Sequence, residues 1–179
     1  NLQFFNGYGG FSADGSEYVI LFQERMTPAP WINVLANPIF GCTISERGAG
    51  FTFAENSREN KLTPWSNDPV SDPPGEVIYL RDEESGALWT VTAAPIREEE
   101  PYLITHGWGY TKYAHCSHGI DQQLTVFVPL EDSVKLSLLR LQNLGEEERR
   151  LTVTYYIRPV LGVSDEVCQQ HLITAWEED

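Results

Sequence analysis

Arg58, Glu59, Asn60, Thr63, Trp65, Asn67 and Asp68 fall within eleven residues of one another, in the stretch NSRENKLTPWSNDPVSDPPGE at positions 56–76. A planar guanidinium can grip a carboxylate, a phosphate or vicinal hydroxyls. Short amides and carboxylates supply directional hydrogen bonds, and an indole offers an apolar face. The chemistry on offer is recognition of a polar ligand, not bond making. The same residues can also be spent locally. Asn and Asp cap turns, Arg58 pairs with Glu59 or Asp72, and Trp65 pins the loop to a sheet. An irregular loop of this length in a compact domain is either functional or disordered, and the Trp argues against disorder.

Other chemistry-bearing residues give weaker signals. His106, His115 and His118 lie within thirteen residues of one another, with Cys116 among them. They could hold a metal only if a bend gathered them, because positions i and i+3 of a strand face opposite sides. Trp108, Tyr110 and Tyr113, interleaved with glycines, read as an aromatic strand wall. The glycine-dense Asn6–Gly10 is followed by a strand, whereas a phosphate cradle needs a helix N-terminus behind its glycines. A tight backbone path between strands is the better reading. Trp31, behind Pro28 and Pro30, reads as core more than as a sugar platform. The acidic runs REEEP, GEEERR and WEED read as solvated turns or a chain end. No Gly-x-Ser-x-Gly, His-Glu-x-x-His or Cys-x-x-Cys occurs. No carboxylate is clearly set in the apolar surroundings that would raise its pKa for acid catalysis.

The elements that must position these residues are strands. Apolar runs rich in β-branched and aromatic residues recur every ten to fifteen positions, parted by Gly, Pro, Asn and Asp. They predict strands at 18–22, 31–36, 41–45, 50–54, 77–82, 88–93, 102–106, 110–116, 120–128, 134–143 and 150–161. Gly86 in DEESGALW and Gly145 in NLGEEERRL mark hairpins. In VKLSLLRLQN, Val134, Leu136 and Leu138 point one way and Ser137, Leu139 and Leu141 the other, so both faces should be partly covered. No helical stripe, internal repeat or low-complexity segment is present. The fold class is all-β, an antiparallel β-sandwich of two sheets, in one domain over residues 1–179.

The balance of 12 Lys+Arg against 26 Asp+Glu, a net charge of -14, repels nucleic-acid phosphates and anionic membrane surfaces. Neither is an expected partner. No apolar stretch approaches the ~20 residues of a membrane helix, and there is no signal-peptide pattern. Three well-separated cysteines, Cys42, Cys116 and Cys168, point to a reducing compartment and so to the cytoplasm. The chain opens on Asn1 without Met and stops on Glu178-Asp179, so it reads as a piece of a longer protein.

FFNGYGGFSADGSEYVI, then the run from TPAPWINV through SRENKLTPWSNDPVSDPPGE to SGALWT, then HGWGYTKYAH, VFVPLEDSVKLSLLRLQN and LTVTYYIRPVLG closely resemble one family. It is glycosyltransferase family 36, also called glycoside hydrolase family 94. The resemblance runs in order along nearly the whole chain and is nearest the β-1,2-glucan branch, that of β-1,2-oligoglucan phosphorylases and cyclic β-1,2-glucan synthase. It implies a galactose-mutarotase-like supersandwich at the N-terminal side of a parent enzyme, here truncated. It also implies an (α/α)₆ barrel in cis, absent from these residues, that carries the general-acid Asp and most of the phosphate site.

The parent reaction would be inverting phosphorolysis or transfer of β-glucosides. Inorganic phosphate would be co-substrate, with no cofactor and no metal. The expected partners are a β-glucan oligosaccharide and a second copy of the chain. Carried onto this sequence, the 56–76 loop becomes the rim of a sugar cleft, and none of these residues is catalytic. An autonomous carbohydrate-binding module and a purely structural dimerisation domain remain open as alternatives. A stand-alone mutarotase-like enzyme would need a paired His and Glu in a groove, for which His106 or His118 are candidates.

Overall fold

The computed structural model describes residues 2–23 and 25–177. Asn1 of the opening and Glu178 and Asp179 of the last acidic run therefore lie outside the described residues. Among the described residues, twelve strands follow one another. They are β1 (Gly9–Phe11), β2 (Glu17–Phe22), β3 (Ile32–Ala36), β4 (Phe40–Ser45), β5 (Gly50–Ala54) and β6 (Glu76–Asp82). Next come β7 (Leu88–Thr90), β8 (Tyr102–Gly107), β9 (Tyr110–Ser117), β10 (Ile120–Phe127), β11 (Leu136–Asn143) and β12 (Leu151–Ile157), before one short helix, α1 (Asp165–Cys168).

One layer is a six-stranded sheet in the order β1-β2-β8-β9-β10-β11. Two three-stranded sheets, β12-β6-β7 and β3-β4-β5, make up the rest, and every strand pairing is antiparallel. Period-2 alternation decides which side chains are covered. In β10, Ile120, Gln122, Leu124 and Val126 are buried while Asp121, Gln123, Thr125 and Phe127 are not. Ile120, Leu124 and Val126 join Ile20, Phe22, Tyr102, Ile104 and Tyr113 from the same sheet against Leu35, Cys42, Ile44, Leu80 and Trp89 from the other two. Burial of this continuous apolar set is the main force holding the layers together.

Two turns show why their sequences are what they are. The β9–β10 turn has φ of 51° at His118 and 74° at Gly119, the doubly left-handed pattern that matches strand twist. Gly86 lies at φ 73° in the β6–β7 hairpin, as its sequence predicts.

Four expectations need correction. Gly9–Phe11 is a strand, β1, and a Cβ on Gly9 would come 2.4 Å from the Val19 carbonyl oxygen. Glycine there allows close strand approach. The segment around Gly145 is no hairpin, because β11 pairs with β10 while β12 pairs with β6 in another sheet. Arg149 carries the chain across, its Nε 2.9 Å from Asp82 Oδ2, while its Nη1 donates to the His118 carbonyl at 2.9 Å.

The β11 faces are also unequal. Leu139 and Leu141 pack on the core, but Leu136 and Leu138 stay exposed because among the described residues no layer covers that side. Lastly, Tyr113 is buried, Tyr110 lies on the opposite face of β9 and Trp108 sits on the β8–β9 turn, 85% exposed. Strand parity splits the expected aromatic wall.

Candidate functional site

The 55–75 segment, though without strand or helix, is closely tied down. Asn56 Oδ1 accepts from the Arg58 and Glu59 amides at 2.9 and 3.0 Å, opening the loop with a side-chain-mimicked turn. Lys61 then pairs by backbone with Gly162, at 2.9 and 2.8 Å in the two directions. The Val160 amide donates to Leu62 and the Arg158 amide to Gly75, each at 2.9 Å. Residues 158–163, just beyond β12, thus splint the loop along its length. At the tip, Asp68 Oδ1 accepts from Val70 and Ser71 at 3.0 and 3.1 Å. The Ser71 hydroxyl on its other oxygen is the main reason its carboxyl is held below the usual range. Asp72 accepts from Ser45 of β4 at 2.7 Å, which ties the tip to the sheet.

The base of the loop is fixed by a polar cluster that sequence patterning does not reveal. Glu76 Oε1 accepts from Thr52 at 2.7 Å and Thr63 at 3.1 Å. Its other oxygen takes Lys135 Nζ and the Tyr155 hydroxyl. Burial works against ionisation of Glu76, but Lys135 and these hydrogen bonds outweigh it and its pKa is lowered. The members come from β5, the loop, β6, the approach to β11 and β12, so only the folded topology gathers them.

Of the seven residues expected to face a ligand, the structure gathers some and spends others. Trp65 is 55% exposed and stands between three depressions. One of about 320 Å³ includes Asn67, Asp68 and Ile32. Another, of about 380 Å³, includes Phe51, Arg58 and Lys61. The largest, about 460 Å³, lies between the loop and residues 158–166. Arg58 pairs with Glu59 at 3.2 Å, one of the local pairings its sequence position allows. Asn60 serves through its backbone, accepting from Ala54 at 3.1 Å. Thr63 is fully buried and accepts the Thr52 amide at 2.8 Å. It is a strut under the loop, so the expectation that it faces a ligand is corrected. Lys61, Arg158 and Asp165 border the largest depression and were missed. The last two lie about a hundred residues away in sequence and reach the loop through the backbone pairing of residues 158–162 with Lys61, Leu62 and Gly75.

His106 and His115 are internal fittings. His106 Nε2 lies 3.0 Å from the Trp31 carbonyl and Nδ1 3.0 Å from the Thr111 hydroxyl. The carbonyl can only accept, so Nε2 carries the hydrogen. Burial pushes the His106 pKa down, against the pull of that bond. His115 stacks on Tyr102 with centroids 3.7 Å apart and donates to Pro101 at 3.0 Å. Burial again lowers its pKa. His118 does meet a carboxylate, Glu98, at 3.0 Å, but neither residue borders any of the three depressions. Trp31 is half-buried, edge-on to Tyr8 and Tyr18. Its amide donates to the fully buried Glu46 at 2.6 Å, whose pKa burial raises despite that bond and one from Thr27.

Comparison with known proteins finds relatives of the chain among carbohydrate-active enzymes. Residues 16–179 match the sequence model of the glycosyl hydrolase 94 supersandwich domain. The chain is 37% identical over 180 residues to the cyclic beta-(1,2)-glucan synthase NdvB of Rhizobium meliloti, covering 99% of this chain and 6% of the synthase. It is 31% identical over 153 residues to the N,N'-diacetylchitobiose phosphorylase of Vibrio proteolyticus, covering 84% of this chain and 19% of that enzyme. It is also 30% identical over 154 residues to the solabiose phosphorylase of Paenibacillus borealis, covering 84% of this chain and 20% of that enzyme. The chain thus spans no more than a fifth of these relatives.

Proposed function

The chain belongs to glycosyl hydrolase family 94 as a supersandwich domain, and on that premise we propose that it is a non-catalytic domain whose 56–76 loop lines a sugar-binding cleft. The reaction it serves is inverting phosphorolysis or transfer of β-glucosides, with inorganic phosphate as co-substrate and the general acid on an (α/α)₆ domain in cis. In this reading the supersandwich also helps to build a homodimer. Its free cysteines Cys42, Cys116 and Cys168 suit the reducing cytoplasm. Among the described residues, no helix is long and apolar enough to cross a membrane.

The observation that carries the reading is Trp65. A half-exposed indole on a loop held by capping side chains and a backbone splint is a preorganised apolar face amid hydrogen-bonding groups. Sugar rings are bound by that combination. The loop is tied down by its own hydrogen bonds, so little conformational entropy is left to lose on binding.

The test is titration of the 179-residue chain with β-1,2-linked gluco-oligosaccharides, followed by calorimetry or NMR, beside a Trp65→Ala variant. Saturable binding that the variant loses is expected. No saturation up to millimolar sugar overturns the reading and leaves a structural scaffold.

A further inference from the structure

The largest depression beside Trp65 carries its own chemical signature. One wall is the indole with Pro64, Pro73 and Pro74, and the other is residues 158–166. Its volume of about 460 Å³ falls within the range of roughly 300–1,000 Å³ usual for small-molecule sites. The two walls cannot drift apart freely. They share the two Lys61–Gly162 hydrogen bonds and the Val160–Leu62 and Arg158–Gly75 bonds, and Lys61 Nζ reaches the Val163 carbonyl at 2.8 Å.

The charges lining it are Lys61, Arg158, Asp165 and Glu166, two cations and two carboxylates in a chain of net charge -14. Arg158 and Asp165 form an ion pair that leaves guanidinium donors and carboxylate lone pairs free, since one fork carries five N–H groups. Such a balanced set suits a ligand that both donates and accepts. An anion entering here would gain Lys61 and Arg158 but meet Asp165 and Glu166. Hydroxyl groups lose nothing by meeting both.

We infer that this depression binds a neutral oligosaccharide, with a ring against Trp65 and the hydroxyls held by the Arg158–Asp165 pair. The inference rests on the sugar-facing reading above and narrows it. It places the ligand between the loop and residues 158–166, away from the neighbouring depression of Asn67 and Asp68. It also excludes inorganic phosphate as the occupant.

Amide NMR shifts of the ¹⁵N-labelled chain, titrated with β-1,2-linked glucotriose, test it. The expected shifts are at Lys61, Gly162, Ser164 and the Trp65 indole, with none from inorganic phosphate at equal concentration. Arg158→Gln and Asp165→Asn should each weaken binding at least tenfold. Because the shift map is read on the unaltered chain, the test survives a variant that fails to fold. If the shifts cluster at Ile32, Asn67 and Asp68, and Arg158→Gln and Asp165→Asn bind normally, this inference falls and the sugar-facing reading stands. If phosphate displaces the sugar, the neutral-ligand assignment falls alone. If no amide moves with either probe, both readings fall.

Discussion

Residues 56–76 and residues 106–118 look alike on paper, each a short stretch crowded with polar and aromatic side chains, yet the fold uses them in opposite ways. In 106–118 the hydrogen-bonding capacity is largely consumed inside the protein, by Trp31, Thr111 and Pro101. In 56–76 the side chains at the ends are consumed, by Thr52, Ser45 and Glu76, while Trp65 between them stays half-exposed. A rich composition is therefore not itself a site. What counts is capacity left over after the fold has taken its share.

The largest expected effect lies beneath the loop. Glu76→Ala strips the partner from Lys135, and breaking a largely buried pair costs about 3–5 kcal/mol, readable by urea denaturation. A loss below about 1 kcal/mol would mean that the loop is held from elsewhere. Next comes His106→Ala, which takes from the Trp31 carbonyl one of its two donors, the other being the Glu46 amide at 3.2 Å, and costs about 0.5–1.5 kcal/mol with no change in sugar affinity. Weakened sugar binding in that variant would erase the contrast between the two stretches.

Acidity sharpens the same contrast. His106 and His115 have folded pKa values below their ordinary 6.5, so the unfolded chain takes up their protons first. Stability contributed by the neutral rings is full above pH 6.5 and falls as pH drops from 6.5 through the folded values. In His106→Ala, denaturation midpoints across that window should vary less with pH than in the unaltered chain. Asp68, also lowered from its ordinary 3.8, acts only in more acidic solution.

Smaller effects are expected on the loop's surface. Trp65→Ala should shift stability by less than about 1 kcal/mol while lowering sugar affinity at least tenfold. Arg58→Ala, breaking an exposed pair, should cost under about 0.5 kcal/mol.

The sequence made most of the sandwich legible because strand alternation and turn glycines are local signals. β2, β3, β5, β6, β8, β9 and β10 fall within a residue or two of their expected limits. β1 escaped because its two glycines offer no apolar pattern, and the β11–β12 crossover escaped because hairpin and interlayer turn share one chemistry. For the site, the loop and Trp65 were visible. Thr63 was misjudged because nothing local says that its hydroxyl points at Glu76. Arg158 and Asp165 were invisible because only tertiary pairing carries them to Lys61.

The edge positions of β11 and β12 have a consequence in time. Each strand is hydrogen-bonded to a neighbour on one side only, and β12 is exposed at every position but Leu151. Amides there open by fraying, whereas those of β8, β9 and β10 open only when the sheet parts. In deuterated water the label should enter along one flank first, reach β6 through β12, and arrive last at Ile104, Tyr113 and Leu124.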